Sequence, residues 1–241
     1  MSEQPSLLQR LARVPGTSAL ILTLLVLYAA EVARMGGTDI SAQVATEFGA
    51  NSSGHTAQQP WRLVTSAFLH FSLIHVLFNG YALWIVGGIL EQTLGARRML
   101  TLFFLFAVGG DVLGTAWWEA RRAGVLPGVA GGGAYASAGA SGAVCGLIAY
   151  GAIYTRRHAE ARRYAGALRT WLLFIAVFSV AVPRVDAAGH LGGAIVGALG
   201  SLSVNPAPKT EAGVGWTVST ALSAALCAVA FALIAADVRL G

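Results

Sequence analysis

Charge is what this sequence has least of. Only 11% of its 241 residues are Asp, Glu, Lys or Arg, against 56% apolar residues, and the mean hydropathy is +0.65. Such a chain cannot cover a globular surface with polar groups, which excludes an ordinary soluble domain and points to a bilayer as its solvent. Cysteine is nearly missing as well. Cys145 and Cys227 both lie inside apolar segments, which favours buried free thiols over a disulfide. Nucleic-acid motifs are absent, so nucleic acid is not an expected partner despite a net charge of +5 and a pI near 9.7. The basic residues fall in short clusters between apolar runs, the pattern of topology signals. The glycines at 131–133 lack the lysine and Ser/Thr of a phosphate loop and read as a flexible connection.

What is there is a series of apolar runs at about 16–35, 70–93, 99–118, 138–155, 167–183, 187–203 and 215–236. Each is near the roughly 20 residues a helix needs to cross hydrocarbon, so the expected fold is an all-α polytopic membrane bundle. The first run follows a basic lead but is long enough to span and lacks a clear small-residue cleavage site, so a membrane helix is expected there and not a cleaved signal. No polar stretch has room for a separate soluble domain. The longest, 36–60, contains Asp39 and Glu47 but no Lys or Arg, and is expected to fold on the membrane surface. With the N-terminus inside, the cytoplasmic face receives ten of the 16 basic residues: Arg10, Arg13, Arg97, Arg98, Arg156, Arg157, Arg162, Arg163, Arg169 and Lys209. This orientation, N-terminus cytoplasmic and C-terminus outside, has a consequence. The second, fourth and sixth runs then all enter from the outer side, each with polar residues just past its entry: His75 and Asn79, Ser141, and His190. At about 1.5 Å per residue these lie at one depth, within ~5 to 15 Å of the surface.

Small residues give a second reason to bring them together. Gly142 and Gly146 recur at helical spacing in the fourth run, as do Gly189, Gly193 and Gly197 in the sixth, and such stripes let backbones approach closely. A plain packing interface accounts for part of this. The functional reading adds that the approach puts Ser141 within reach of His190, as a serine nucleophile and its base require. His75 and Asn79, four apart, share a helix face and form a donor pair suited to an oxyanion. Asp186 sits at a helix mouth, where an aspartate caps free N–H groups.

On Trp61-Arg62, His70-Phe-Ser-Leu-Ile-His75-Val-Leu-Phe-Asn79, Gly87-Gly-Ile-Leu-Glu91-Gln-Thr-Leu-Gly95, Gly139-Ala-Ser141-Gly142 and His190-Leu-Gly-Gly193-Ala-Ile-Val-Gly197, the chain resembles the rhomboid intramembrane serine proteases over about 60–200. The resemblance implies a cytoplasmic segment at 1–15, a six-helix core at 16–203, and a linker with one further membrane helix at 204–241. It implies an endopeptidase acting on transmembrane protein substrates in the lipid bilayer through a Ser141–His190 dyad, with no cofactor and no metal. His75, Asn79 and the Ser141 backbone N–H would hold the oxyanion. Gly139 would let the chain approach the site, with Gly142, Cys145, Gly193 and Gly197 in support, and Glu91 would be structural. The residue four past the nucleophile is often aromatic in the family and is Cys145 here; the residue before the histidine is often alanine and is Gly189. A catalytically silent relative that binds transmembrane clients is the alternative from another class, separated by the dyad that such relatives lose. A sortase-like subgroup processing C-terminal anchors is another alternative. The Ala, Arg and Gly content points to a bacterial inner membrane; oligomeric state is left open.

Overall fold

The computed structural model describes residues 6–126, 135–182, 185–204, 206 and 213–240. The glycines at 131–133, Arg184, Lys209 and the side chains of Cys227 and Arg239 lie outside the described part. Within it the protein is helical. The long helices are α1 (Pro15–Met35), α2 (Leu73–Leu94), α3 (Ala96–Arg122), α4 (Ser141–Arg157), α5 (Ala165–Ala181), α6 (Ala187–Ser203) and α7 (Val214–Leu240). Four stretches, α1, α2, α3 and α5 with the 3₁₀ turn before it, are long and apolar enough to cross a membrane. Helices α4 and α6 are shorter, at 17 residues each. Helix α4 needs no continuous apolar surface, because it is enclosed by its neighbours: every residue from Ala143 to Gly151 is buried.

The helix ends are set by particular side chains. Pro15 opens α1 at a position where its missing N–H costs nothing. Glu91 of α2 then caps that helix from across the bundle: its carboxylate accepts from Gly16 N at 2.8 Å, and from Thr17 N and Oγ1 at 2.7 Å each. Ser72 caps α2 by accepting from His75 N, and Asp186 caps α6 by accepting from Gly189 N at 2.9 Å. One π-helical turn, Leu83–Gly87, interrupts α2 where it passes α1.

Glycine contacts define the centre. A Cβ at Gly193 would overlap the Gly142 carbonyl, and one at Gly197 the Gly146 carbonyl, so α4 and α6 meet backbone to backbone. The expected stripe is therefore an interface. A second crossing was not anticipated: at Gly110 and Gly114 of α3, a Cβ would stand 3.0 and 3.2 Å from the backbone of Gly189. The α6 helix is thus clasped between α3 and α4, with its first turn, which carries His190, fixed from both sides.

The 36–60 segment is folded, as expected, but not by helix alone. A short helix, Ala42–Glu47, precedes strand β1 (Asn51–Ser52), which pairs antiparallel with β2 (Ala136–Ser137) just ahead of α4. Two residues per strand carry no sequence period. The Arg62 guanidinium is buried beneath this segment, donating to Gln59 Oε1 at 2.6 Å and to the carbonyls of Thr46 and Ala50 at 2.7 and 3.0 Å. At the far edge α7 lies against α3: Thr220 meets the Thr101 hydroxyl and the Arg97 carbonyl, each at 2.9 Å, and Phe231 meets Phe68 edge to face.

Candidate active site

Ser141 is the first residue of α4, and no side chain caps that helix. Its amide and those next to it are therefore among the N–H groups that a helix start leaves without an intrahelical acceptor, at the positive end of the helix dipole. Getting the chain there requires Gly139. Its φ of +131° lies in the region that favours glycine, and a Cβ on it would stand 2.8 Å from both Cε1 and Nε2 of His75. A hydrogen bond from Gly139 N to Ser66 O at 2.9 Å holds the turn.

From α6, His190 reaches Ser141: Nε2 and Oγ are 2.7 Å apart, and the histidine is 7% exposed. The other ring nitrogen, Nδ1, is 2.6 Å from Ser179 Oγ on α5. From α2 come His75 and Asn79, one turn apart. Asn79 is 2% exposed and spends one Nδ2 hydrogen on the His75 carbonyl at 3.0 Å, keeping a second donor. The His75 ring lies edge-on to His70, 4.8 Å between centroids, and is stacked at 11° on Phe71. Ser141, His190, His75 and Asn79, with Gly139 and Gly142, line a single cavity of about 920 Å³.

The sequence-predicted residues thus divide cleanly. Ser141, His190, His75, Asn79, Gly139 and Gly142 meet at the cavity, and Gly193 and Gly197 lie behind it as helix contacts. Cys145 is buried and does not line the cavity. His70 is fully buried and lies edge-on to the His75 ring as a packing partner. Asp186 does what a cap does. Its carboxylate holds Gly189 N, Ser137 Oγ at 2.7 Å and Trp118 Nε1 at 3.4 Å, tying the start of α6 to β2 and α3. Among the described residues no three His, Cys, Asp or Glu side chains gather as metal ligands would.

Two polar residues at the site and a third behind it were missed. Ser179 is an ordinary serine in an apolar run, and nothing in the sequence marks it. Asp111, on the cavity wall, takes the Ser66 hydroxyl, and Glu31 accepts from His70 N at 3.1 Å. Both are acids inside apolar runs, a signal that could have found them. On the rim, burial holds the Tyr135 phenol above its ordinary range, so it stays neutral where it stacks on Trp118.

A family model described as the rhomboid domain matches residues 57–206. Among curated relatives, Rhomboid protease GluP of Bacillus subtilis (strain 168) is 29% identical over 168 residues, covering 68% of this chain and 30% of that protein. RHOMBOID-like protein 1 of Arabidopsis thaliana is 35% identical over 138 residues, 55% of this chain and 31% of the relative. Rhomboid protease GlpG of Yersinia pestis (strain Pestoides F) is 32% identical over 145 residues, 58% of this chain and 47% of the relative. The aligned region therefore spans between about a third and a half of the relatives' length.

Proposed function

The chain belongs to the rhomboid family, and on that premise we propose that it is an intramembrane serine endopeptidase cleaving transmembrane proteins within or beside their spanning segments. The observation that carries the reading is the 2.7 Å approach of His190 Nε2 to Ser141 Oγ at the wall of a cavity. His190 takes the Ser141 proton as Oγ attacks the scissile carbonyl, then delivers it to the leaving amine; water repeats the cycle on the acyl-enzyme. The oxyanion forms between the Ser141 N–H at the helix start and the side chains of His75 and Asn79, donors fixed before the charge appears. No carboxylate is needed against His190. Asp186 serves the α6 N-terminus instead.

Residues 16–203 form the catalytic core on this reading, and 204–241 add a helix on its α3 edge. The protein is an integral membrane protein; we propose that it sits in a bacterial inner membrane with its N-terminus cytoplasmic and its C-terminus outside, as the distribution of arginine supports. The test is incubation of the purified protein with a panel of single-span substrates beside Ser141→Ala. Cleavage of at least one substrate by the wild type and of none by the variant is expected. Equal cleavage by the two, or none by either, would overturn the proposal.

A further inference from the structure

We infer that Ser179 of α5 fixes the tautomer of His190 and is thereby a positioning residue for the Ser141–His190 pair. The consequence for turnover rests on the proteolytic reading; the geometry does not. Ser179 Oγ lies 2.6 Å from the Ile175 carbonyl and 2.6 Å from His190 Nδ1. A hydroxyl has one proton to give and two lone pairs to offer, whereas a carbonyl only accepts. The proton therefore goes to Ile175 O, the usual back-bond of a helical serine. The oxygen then meets Nδ1 with a lone pair, so Nδ1 carries the ring proton.

That choice settles the other nitrogen. With hydrogen on Nδ1, Nε2 holds a lone pair 2.7 Å from Ser141 Oγ and accepts the serine proton. The hydrogens run in one direction: Ser141 O–H to Nε2, Nδ1–H to Ser179 Oγ, Ser179 O–H to Ile175 O. In the opposite tautomer Nδ1 and Ile175 O would compete for a single hydroxyl proton, and an N–H would face the nucleophile where a base is required. When Nε2 takes the Ser141 proton the ring becomes an imidazolium, its Nδ1–H stays on Ser179 Oγ, and no proton passes to Ser179.

Among the described residues no other side chain is hydrogen-bonded to His190 Nδ1. Asp186, the nearest carboxylate in sequence, is occupied by Gly189 N, Ser137 and Trp118. Ser179 also stands on the least buried of the four spanning stretches, so a polar link from α5 to the first turn of α6 is not explained by the packing of α5.

Ser179→Ala and Ser179→Thr, assayed on one substrate that the wild type cleaves, separate positioning from packing. For Ser179→Ala kcat is expected to fall on the order of 10- to 100-fold, by analogy with the loss of a partner that orients a metal-bound histidine, with KM and thermal stability unchanged. Threonine keeps the hydroxyl and the back-bond to the fourth preceding carbonyl, and is expected to restore kcat to within about threefold of wild type. Wild-type turnover in Ser179→Ala, or threonine failing as fully as alanine, would overturn the inference while leaving the proteolytic reading intact. A second arm needs no turnover. Nitrogen-15 spectra of labelled histidine, with His190→Ala to identify the signal, are expected to show Nδ1 protonated and Nε2 bare; the reverse would overturn the inference even in a protein that cleaves nothing.

Discussion

At His75 and Asn79 the fold has used some hydrogen-bonding capacity and left the rest for the cavity. Asn79 gives one amide hydrogen to the His75 carbonyl, and the His75 ring is wedged between His70, Phe71 and the bare face of Gly139. Donors held this way act on charge that develops during reaction more than on substrate already bound. Asn79→Ala and His75→Ala are therefore each expected to lower kcat on the order of 10²-fold with a much smaller change in KM, and the double variant to lose more than either. Steady-state kinetics check this; wild-type kcat in the double variant would remove both residues from the oxyanion site. Gly139→Ala tests the wedge itself. It combines a strained φ with a methyl group 2.8 Å from the His75 ring, so activity should fall even where the protein still folds.

The helices meet where the side chains stop. At Gly193 and Gly197 an added methyl would enter the facing carbonyl of α4, so Gly193→Ala should destabilise by roughly 1–3 kcal/mol, the usual cost of overpacking. Gly166, near the start of α5, has nothing within 4 Å of its would-be Cβ, and Gly166→Ala should be neutral or slightly stabilising. Thermal unfolding in detergent compares the two, and equal melting temperatures would contradict the close crossing. These contacts also show what the sequence made legible. Glycine spacing along α4 and α6 is a local pattern, and it located an interface; apolar runs placed the long helices to within a few residues. Gly110 and Gly114 were not legible as partners of Gly189, because their meaning depends on which helix lies opposite. Ser179 depends in the same way on the approach of α5 to α6, and β1 with β2 is too short to have a period. The meeting of Ser141 and His190 was readable because both residues stand at helix starts beside glycines; the hydroxyl behind the histidine was not.

At the scale of the whole molecule the protein is a helix bundle, and the distribution of its basic residues supports the proposed orientation in the membrane. Helix succession puts the 36–60 segment and the start of α4 on one side, tied by β1 and β2, and the stretch Ala159–Tyr164, with Arg162 and Arg163, on the other. Single cysteines introduced at Gln58 and at Arg162 in a Cys145→Ala, Cys227→Ala background should react with a membrane-impermeant maleimide from opposite sides. Gln58 is expected to label in intact cells and Arg162 only after lysis. Labelling of Arg162 in intact cells would invert the proposed orientation.

That Ser141 is a nucleophile activated by His190 is tested most directly by fluorophosphonate labelling of the protein in liposomes, with the adduct located by peptide mass spectrometry. The expected result is one adduct, on Ser141, formed by the wild type and lost in Ser141→Ala, with labelling slowed at least on the order of 10²-fold in His190→Ala. An adduct elsewhere, or a Ser141 adduct forming equally fast without His190, would contradict the dyad.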